Sequence, residues 1–231
     1  MTQTIKIAID GPSGAGKSTI SRELARRLGF DYIDTGAMYR AVGYKMRQNG
    51  ISADDEQAIA QMLANTDLDY RSGIIYLDGE NVEKKIRTRD IAMAASECSA
   101  LPVVREKLIA LQRKIGRRRS CILDGRDIGT NVFRDAQFKF FLTASSEERA
   151  ARRFRDLKQA GDLTDYDSLL EEIKTRDYDD SHRMTDPLRK ADDAIEIDST
   201  NMTIDEVVDI MWHIIKDSGI AQSEISYILK Q

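Results

Sequence analysis

Apolar and polar positions along this chain switch repeatedly between a period of two and a period near 3.6. Ile5-Lys6-Ile7-Ala8-Ile9 alternates as a strand does, and from about Ser18 to Leu28 the spacing is helical, with Gly29 placed to end the helix. Tyr32-Ile33 predicts a second strand. Thr35 is placed to cap a helix that runs to about Gln48 and closes at Gly50. Further on, the pattern predicts a helix over 102–115 with Pro102 in its first turn, then a buried strand at Cys121-Ile122-Leu123 and another from Phe138 to Leu142. Helices over 146–159 and 166–180 flank Gly161-Asp162. A strand at Ala194-Ile195-Glu196-Ile197 and an amphipathic helix from Ile204 to Ile215 complete the series. Such alternation predicts an α/β chain around a largely parallel sheet.

One segment breaks the rhythm. Leu68-Asp69-Tyr70-Arg71 and Ile74-Ile75-Tyr76-Leu77 flank Ser72-Gly73, and Asp78-Gly79 leads into a third short extended run. These are hairpin signals inside a βαβ alternation. They predict a small inserted subdomain over 64–100, with residues 1–63 and 101–217 forming the core and 218–231 a C-terminal tail without an assigned role.

Between the first strand and the first helix stands Gly11-Pro12-Ser13-Gly14-Ala15-Gly16-Lys17-Ser18, followed by Thr19. This is the G-x-x-x-x-G-K-[ST] pattern in strand–loop–helix context. Glycines let the loop aim successive backbone N–H groups inward, and the helix N-terminus adds positive potential. Lys17 supplies a compact charge for β- and γ-phosphates, and the Ser18 hydroxyl can ligate Mg²⁺. Gly11 to Thr19 therefore read as a nucleoside triphosphate site, with an ordinary glycine-rich turn as the plainer alternative.

Composition narrows the class. The 231 residues carry 39 acidic and 35 basic side chains, for a formal charge of −4, which argues against bulk nucleic-acid binding. No run approaches the roughly 18 apolar residues of a membrane span. The first strand begins almost at the N-terminus, leaving no room for a signal peptide, and two cysteines make no disulfide framework. A cytoplasmic monomer is expected, with neither nucleic acid nor membrane as partner. The basic run Arg113-Lys114 to Arg117-Arg118-Arg119 reads as a solvated connection.

Other charged residues sit where chemistry is expected. Asp124 ends an apolar strand and is a candidate for the acidic partner of Mg²⁺, directly or through water; the alternative is a loop cap. Arg126 and Asp127 follow at the carboxyl end of that strand, the edge where open α/β sheets bind ligands. Arg149, Arg152 and Arg153 share a helix face, readable as a closing lid or as a solvated face. Arg176, Asp180 and Arg183 share another, readable as a sugar-binding stripe or a helix salt bridge, with Asp177, Asp179 and His182 pointing elsewhere. Neither His182 nor His213 belongs to a relay pattern. Abundant arginine without a general base favours a kinase whose acceptor is already a phosphate. The guanine-reading Asn-Lys-x-Asp run of a nucleotide switch is missing from the sequence.

Taken together, these residues resemble the bacterial cytidylate kinases, members of the nucleoside monophosphate kinases. The likeness runs from about Ile5 to Met211. It includes Ile9-Asp10-Gly11-Pro12 with the phosphate loop, Asp34-Thr35-Gly36-Ala37-Met38-Tyr39-Arg40, Ile86-Arg87-Thr88, Ala94-Ala95-Ser96 and Val104-Arg105-Glu106. It continues through Asp124-Gly125-Arg126-Asp127-Ile128-Gly129-Thr130, Ser145-Ser146-Glu147-Glu148-Arg149-Ala150, Ala191-Asp192-Asp193-Ala194 and Ile197-Asp198-Ser199.

The resemblance implies a P-loop NTPase three-layer fold with a central parallel sheet, an inserted monophosphate-binding subdomain at 64–100 and a lid at about 149–165. It implies ATP on Gly11 to Thr19, with Mg²⁺ at Ser18 and Asp124, and CMP or dCMP as the acceptor. Arg40 and Arg126 would grip the acceptor phosphate. Thr35, Arg105, Asp127 and Arg183 would surround the cytosine, and Ser96, Arg176 and Asp180 would reach the pentose. Lys17 and Arg126, with Arg149, Arg152 and Arg153 from the lid, would carry the transfer.

Overall fold

A computed structural model describes residues 4–71, 73–159 and 161–219. The expected tail therefore lies, from residue 220 onward, outside the described residues. In chain order the elements are β1 (Lys6–Asp10), α1 (Lys17–Leu28), β2 (Asp31–Asp34), α2 (Thr35–Gln48), α3 (Glu56–Ala64), β3 (Leu68–Arg71), β4 (Ile74–Leu77) and β5 (Glu80–Asn81). They continue with α4 (Arg89–Ser99), α5 (Pro102–Gly116), β6 (Cys121–Gly125), β7 (Phe138–Thr143), α6 (Ser146–Gln159), α7 (Tyr166–His182), β8 (Ile195–Asp198) and α8 (Ile204–Asp217). A single turn of π-helix spans Ile128–Val132. The chain divides into two compact units, one built on Asp31–Cys121 and the other on Ile5–Phe30 with the chain from Ile122 onward.

In the second unit β6, β1, β7 and β8 stand side by side in that order. β1 and β7 run parallel, from Ile7 beside Phe138 to Asp10 beside Phe141, and β7 and β8 run parallel from Phe140 beside Ile195. Ile7, Ala8 and Ile9 are wholly buried, as are Ile122 and Leu123, because central parallel strands are covered on both faces. Their run of apolar residues ends at Asp10 and Asp124, so the carboxyl ends of β1 and β6 present buried carboxylates.

α1 buries Ile20, Leu24, Ala25 and Leu28 and stops at Gly29 (φ 66°), as expected. α8 packs on α1 through Val207, Val208, Met211 and Ile215; its start is fixed by a reciprocal capping box between Thr203 and Glu206. α6 and α7 form a pair with a small core of Ala150, Leu169 and Ile173, closed by Phe154 edge-on to Tyr166.

In the first unit β3, β4 and β5 form an antiparallel meander, with Leu68 opposite Leu77 and Tyr76 opposite Asn81. α3 and α4 were not anticipated from the pattern. α4 lies within 64–100 and is rich in small residues, which weaken a hydrophobic period yet suit close packing. A Cβ on Gly43 of α2 would stand 2.9 Å from the Ala95 nitrogen, so glycine lets the two helices approach. The compact unit extends on both sides of 64–100, to 31 and 121.

One expectation at α2 is corrected. Its N-cap is Asp34, whose Oδ1 accepts from the Ala37 N–H at 2.8 Å, and Thr35 is already the first helical residue. Either side chain can cap, but Asp34 has the extended backbone that an N-cap requires.

Candidate active site

The loop after β1 is shaped by close approach. A Cβ on Gly11 (φ +148°) would lie 1.9 Å from the Leu142 carbonyl oxygen, so no other residue fits where the chain leaves the sheet. Gly14 and Gly16 also take positive φ, and α1 starts at Gly16 with no side-chain cap and no acidic residue in its first turn. By contrast α2, α3, α4, α7 and α8 each have a capping side chain. The uncapped N–H groups and the helix dipole, together with the glycine loop before them, prepare this terminus for an anion.

Lys17 is buried there, and its Nζ donates to the Pro12 carbonyl at 2.7 Å. Burial, reinforced by the Arg126 charge, pulls its pKa down to about 7 against the opposing pull of Asp124, Asp180 and Asp10. A bound polyphosphate would add negative charge at this point and restore the ammonium form. The Ser18 hydroxyl donates to Asp124 Oδ2 at 2.7 Å, joining the loop to the end of β6. Among the described residues no group of three or more His, Cys, Asp or Glu is placed to hold a metal. A hydroxyl beside a carboxylate nevertheless fits Mg²⁺, which prefers a few protein oxygens and completes its shell from phosphate and water.

Beyond Asp124 the chain forms an arginine-rich cluster. Arg126 Nε donates to Asp180 Oδ2 at 2.7 Å, bringing β6 and α7 together. Burial would raise the Asp180 carboxyl, but Arg126, Arg176 and Arg183 hold it below its ordinary value. Arg183 lies just past α7, its Nη2 3.4 Å from Asp127 Oδ1 and its Nε on the Asp186 carbonyl. Asn131 also donates to Asp127. The turn is fixed from beneath by Asp10, which accepts from the Ile128 N–H at 2.8 Å and the Gly129 N–H at 2.7 Å. Burial pushes the Asp10 carboxyl up to about 6 despite those two bonds.

The three arginines of α6 diverge. Arg149 is buried: its Nε donates to the Ala144 carbonyl, and its Nη1 to the Ser13 carbonyl of the phosphate loop at 3.0 Å. Both its terminal nitrogens also bind the Asp177 carboxylate. Arg152 binds Glu148 and the Ser199 carbonyl, and Arg153 lies 3.6 Å from Glu172 of α7. Helical spacing put the three on one face but left their partners open. Asp177, expected to point elsewhere, faces Arg149.

The remaining expected residues lie in the first unit. Arg40 Nη2 donates to Asp34 Oδ2 at 2.9 Å, and Arg87 Nη2 comes within 3.5 Å of the same oxygen. Arg40 Nε is buried with no hydrogen-bond partner among the described residues, a donor suited to an anion. Thr35 is buried, and Arg105, also buried, donates to Tyr39 Oη and the Ser99 carbonyl. Ser96 offers its carbonyl to Ser99 Oγ. Sequence reasoning gave no role to Asp10, Arg87 or Asp177. Asp10 and Arg87 stand inside motifs already singled out, whereas nothing local marked Asp177.

Comparison with known proteins identifies the family. A family model described as cytidylate kinase matches residues 7–217. The chain belongs to the cytidylate kinase family. A curated cytidylate kinase from Caldicellulosiruptor saccharolyticus is 52% identical over 208 residues, covering 88% of this chain and 92% of the relative. One from Caldanaerobacter subterraneus subsp. tengcongensis is 50% identical over 213 residues, covering 92% and 95% respectively. An uncharacterized protein from Eubacterium ventriosum, 15% identical, superposes with a TM-score of 0.53 over 92% of this chain and 99% of that one, a likeness of fold alone. For a cytidylate kinase family member, the expected P-loop α/β fold and nucleotide-kinase class both stand.

Proposed function

We infer that this protein transfers the terminal phosphoryl group of ATP to CMP and dCMP, giving ADP with CDP or dCDP. The observation that carries this is the family match over residues 7–217, on a chain whose uncapped, lysine-bearing loop suits a polyphosphate. Gly11 to Thr19 hold the donor. Lys17 follows the charge that moves from the β–γ bridge to the acceptor, and Arg126 would stabilise it on the acceptor side. Mg²⁺, held by Ser18 and by Asp124 directly or through water, would neutralise the phosphate oxygens. The transfer is direct and in line. No side chain need remove a proton, because the acceptor oxygen is already anionic near neutral pH.

For the acceptor, Arg40 and Arg126 take the phosphate, and Thr35, Arg105, Asp127 and Arg183 take the cytosine. Ser96, Arg176 and Asp180 take the pentose. Segment 64–100 serves as the monophosphate-binding subdomain and 149–165 as a lid whose Arg149, Arg152 and Arg153 complete the donor side. The enzyme acts as a cytoplasmic monomer on small nucleotides, with neither nucleic acid nor membrane as partner. The buried Arg40 Nε and the part-buried Asp34–Arg40 pair support the phosphate role, and the largely buried Asp127–Arg183 pair supports the base role.

Steady-state ADP formation across CMP, dCMP, UMP, AMP and GMP tests the proposal. CMP- and dCMP-dependent turnover is expected, and slow hydrolysis indifferent to the acceptor would overturn it. Cytosine offers an exocyclic amine to a carboxylate, and uracil cannot, so Asp127→Asn is expected to relax discrimination against UMP by about tenfold or more. Unchanged selectivity would remove Asp127 from base recognition.

A further inference from the structure

We propose that Asp177 is a positioning residue for the donor site, acting through Arg149 to hold the phosphate loop in its binding shape. This rests on Gly11 to Thr19 being the ATP site, and not on the identity of the acceptor.

The contacts form a continuous chain within one unit. Asp177 on α7 binds Arg149 with both carboxylate oxygens, Oδ1 to Nη1 and Oδ2 to Nη2. Arg149 Nη1 in turn donates to the Ser13 carbonyl, and Nε to the Ala144 carbonyl just beyond β7. Three different backbone or side-chain acceptors thus fix one planar guanidinium, which is buried. Its stem lies against the loop as well: a Cβ on Gly14 would meet Arg149 Cβ at 3.3 Å, with Cγ and Cδ within 3.8 Å. Ser13 and Gly14 are the middle of the cradle. The carbonyl of Ser13 must face away from an incoming phosphate for the neighbouring N–H groups to face it, and the bond from Arg149 fixes the direction of that carbonyl.

Without the Asp177 carboxylate, Arg149 has a buried charge with backbone carbonyls alone to balance it. It would be drawn toward solvent, which releases Ser13 and loosens the loop. α7 also carries Asp180 three residues on, so the helix that holds the loop through Asp177 is the one that holds Arg126 through Asp180.

The experiment is direct titration of ATP onto Asp177→Asn, Asp177→Glu and the wild type, without acceptor, alongside thermal unfolding and steady-state kinetics. Asparagine keeps the shape and loses the charge-assisted pair, so the ATP dissociation constant is expected to rise about tenfold. The KM for CMP at saturating ATP should move less than about twofold. Asp177→Glu, which keeps the carboxylate, should recover part of the loss. A cycle with Arg149→Ala should show the two substitutions to be strongly non-additive in ATP affinity. ATP affinity unchanged in Asp177→Asn, or additive with Arg149→Ala, overturns the proposal. So does a fall in melting temperature with no change in ATP affinity. If ATP affinity falls as expected while CMP elicits no turnover, the positioning role stands and the choice of acceptor is wrong.

Discussion

The phosphate loop and the Arg126–Asp180 cluster both gather positive potential at the carboxyl edge of the same sheet, yet they are made of different materials. The loop uses backbone: glycines at positive φ, an uncapped helix start and one lysine, all within eight consecutive residues. The cluster uses side chains from three places, the end of β6, the last turns of α7 and the segment after it. In the loop burial outweighs the pull of Asp124, Asp180 and Asp10, and the Lys17 ammonium is disfavoured as a result. In the cluster acids and arginines compensate one another, and the Asp180 carboxylate is favoured. The region built from backbone donors is thus left electrostatically open, whereas the region built from paired side chains is prearranged.

Lys17→Met is the severest test of that contrast. Phosphoryl transfer should fall by about 10³-fold or more, since nothing else in the loop carries a full charge. Stability of the ligand-free protein should rise instead. The folded pKa of about 7 lies below the ordinary lysine value of 10.5, so the folded state binds fewer protons between those limits. The cost of burying the ammonium is complete below pH 7 and vanishes as pH approaches 10.5. The variant should therefore melt higher than the wild type at pH 6, with the gap closing in alkali. A variant that is less stable at pH 6 would show that the lysine is compensated after all.

Arg126→Ala attacks the other region and should behave oppositely. Turnover is expected to fall about 10²-fold, and this time stability falls too, because Asp180 remains buried with fewer cations. A depressed carboxyl pKa contributes stability that is present above the unfolded value and is lost as pH falls through the folded one. Removing Arg126 raises the folded value, so acid unfolding should begin at higher pH. Wild-type turnover would remove Arg126 from the reaction. An unchanged acid limb would mean that Arg176 and Arg183 alone hold Asp180.

The same difference in materials decides what a sequence shows. The loop was legible because its parts are consecutive and each residue type has a local reason. Strand and helix positions flanking it were legible for the same cause, since β1, α1 and Gly29 follow period and capping rules. The cluster was only half legible. Helical spacing aligned Arg176, Asp180 and Arg183, but Arg183 belongs to the segment beyond α7 and meets Asp127 from there. Spacing also set Asp177 aside, because a helix position says which face a residue takes and not what stands opposite. α4 was missed since Ala94, Ala95 and Ser96 have too little apolar contrast to show a period, although their smallness suits the close packing near Gly43.

Asp10→Asn gives the smallest expected effect and separates the regions most finely. Asp10 ends β1 one residue before the loop, yet both its oxygens serve the turn that follows Asp127. Gly129 leaves it room: a Cβ there would lie 3.3 Å from Asp10 Oδ2 and 3.2 Å from the Lys139 side chain. Asparagine keeps one acceptor and turns an N–H₂ toward the other amide, at a cost of about 1–3 kcal/mol. The carboxyl is raised to about 6, so its contribution to stability is full below about 4 and is lost as pH rises through 6. The wild type's advantage over the variant should therefore be greater at pH 4 than at pH 7. Because the displaced turn carries Arg126 and Asp127, the KM for CMP should rise about fivefold to tenfold, while the KM for ATP changes less. If both constants rise equally, β1 sets the donor loop and the acceptor turn as one body, and the distinction between a backbone-made and a side-chain-made region fails at their shared root.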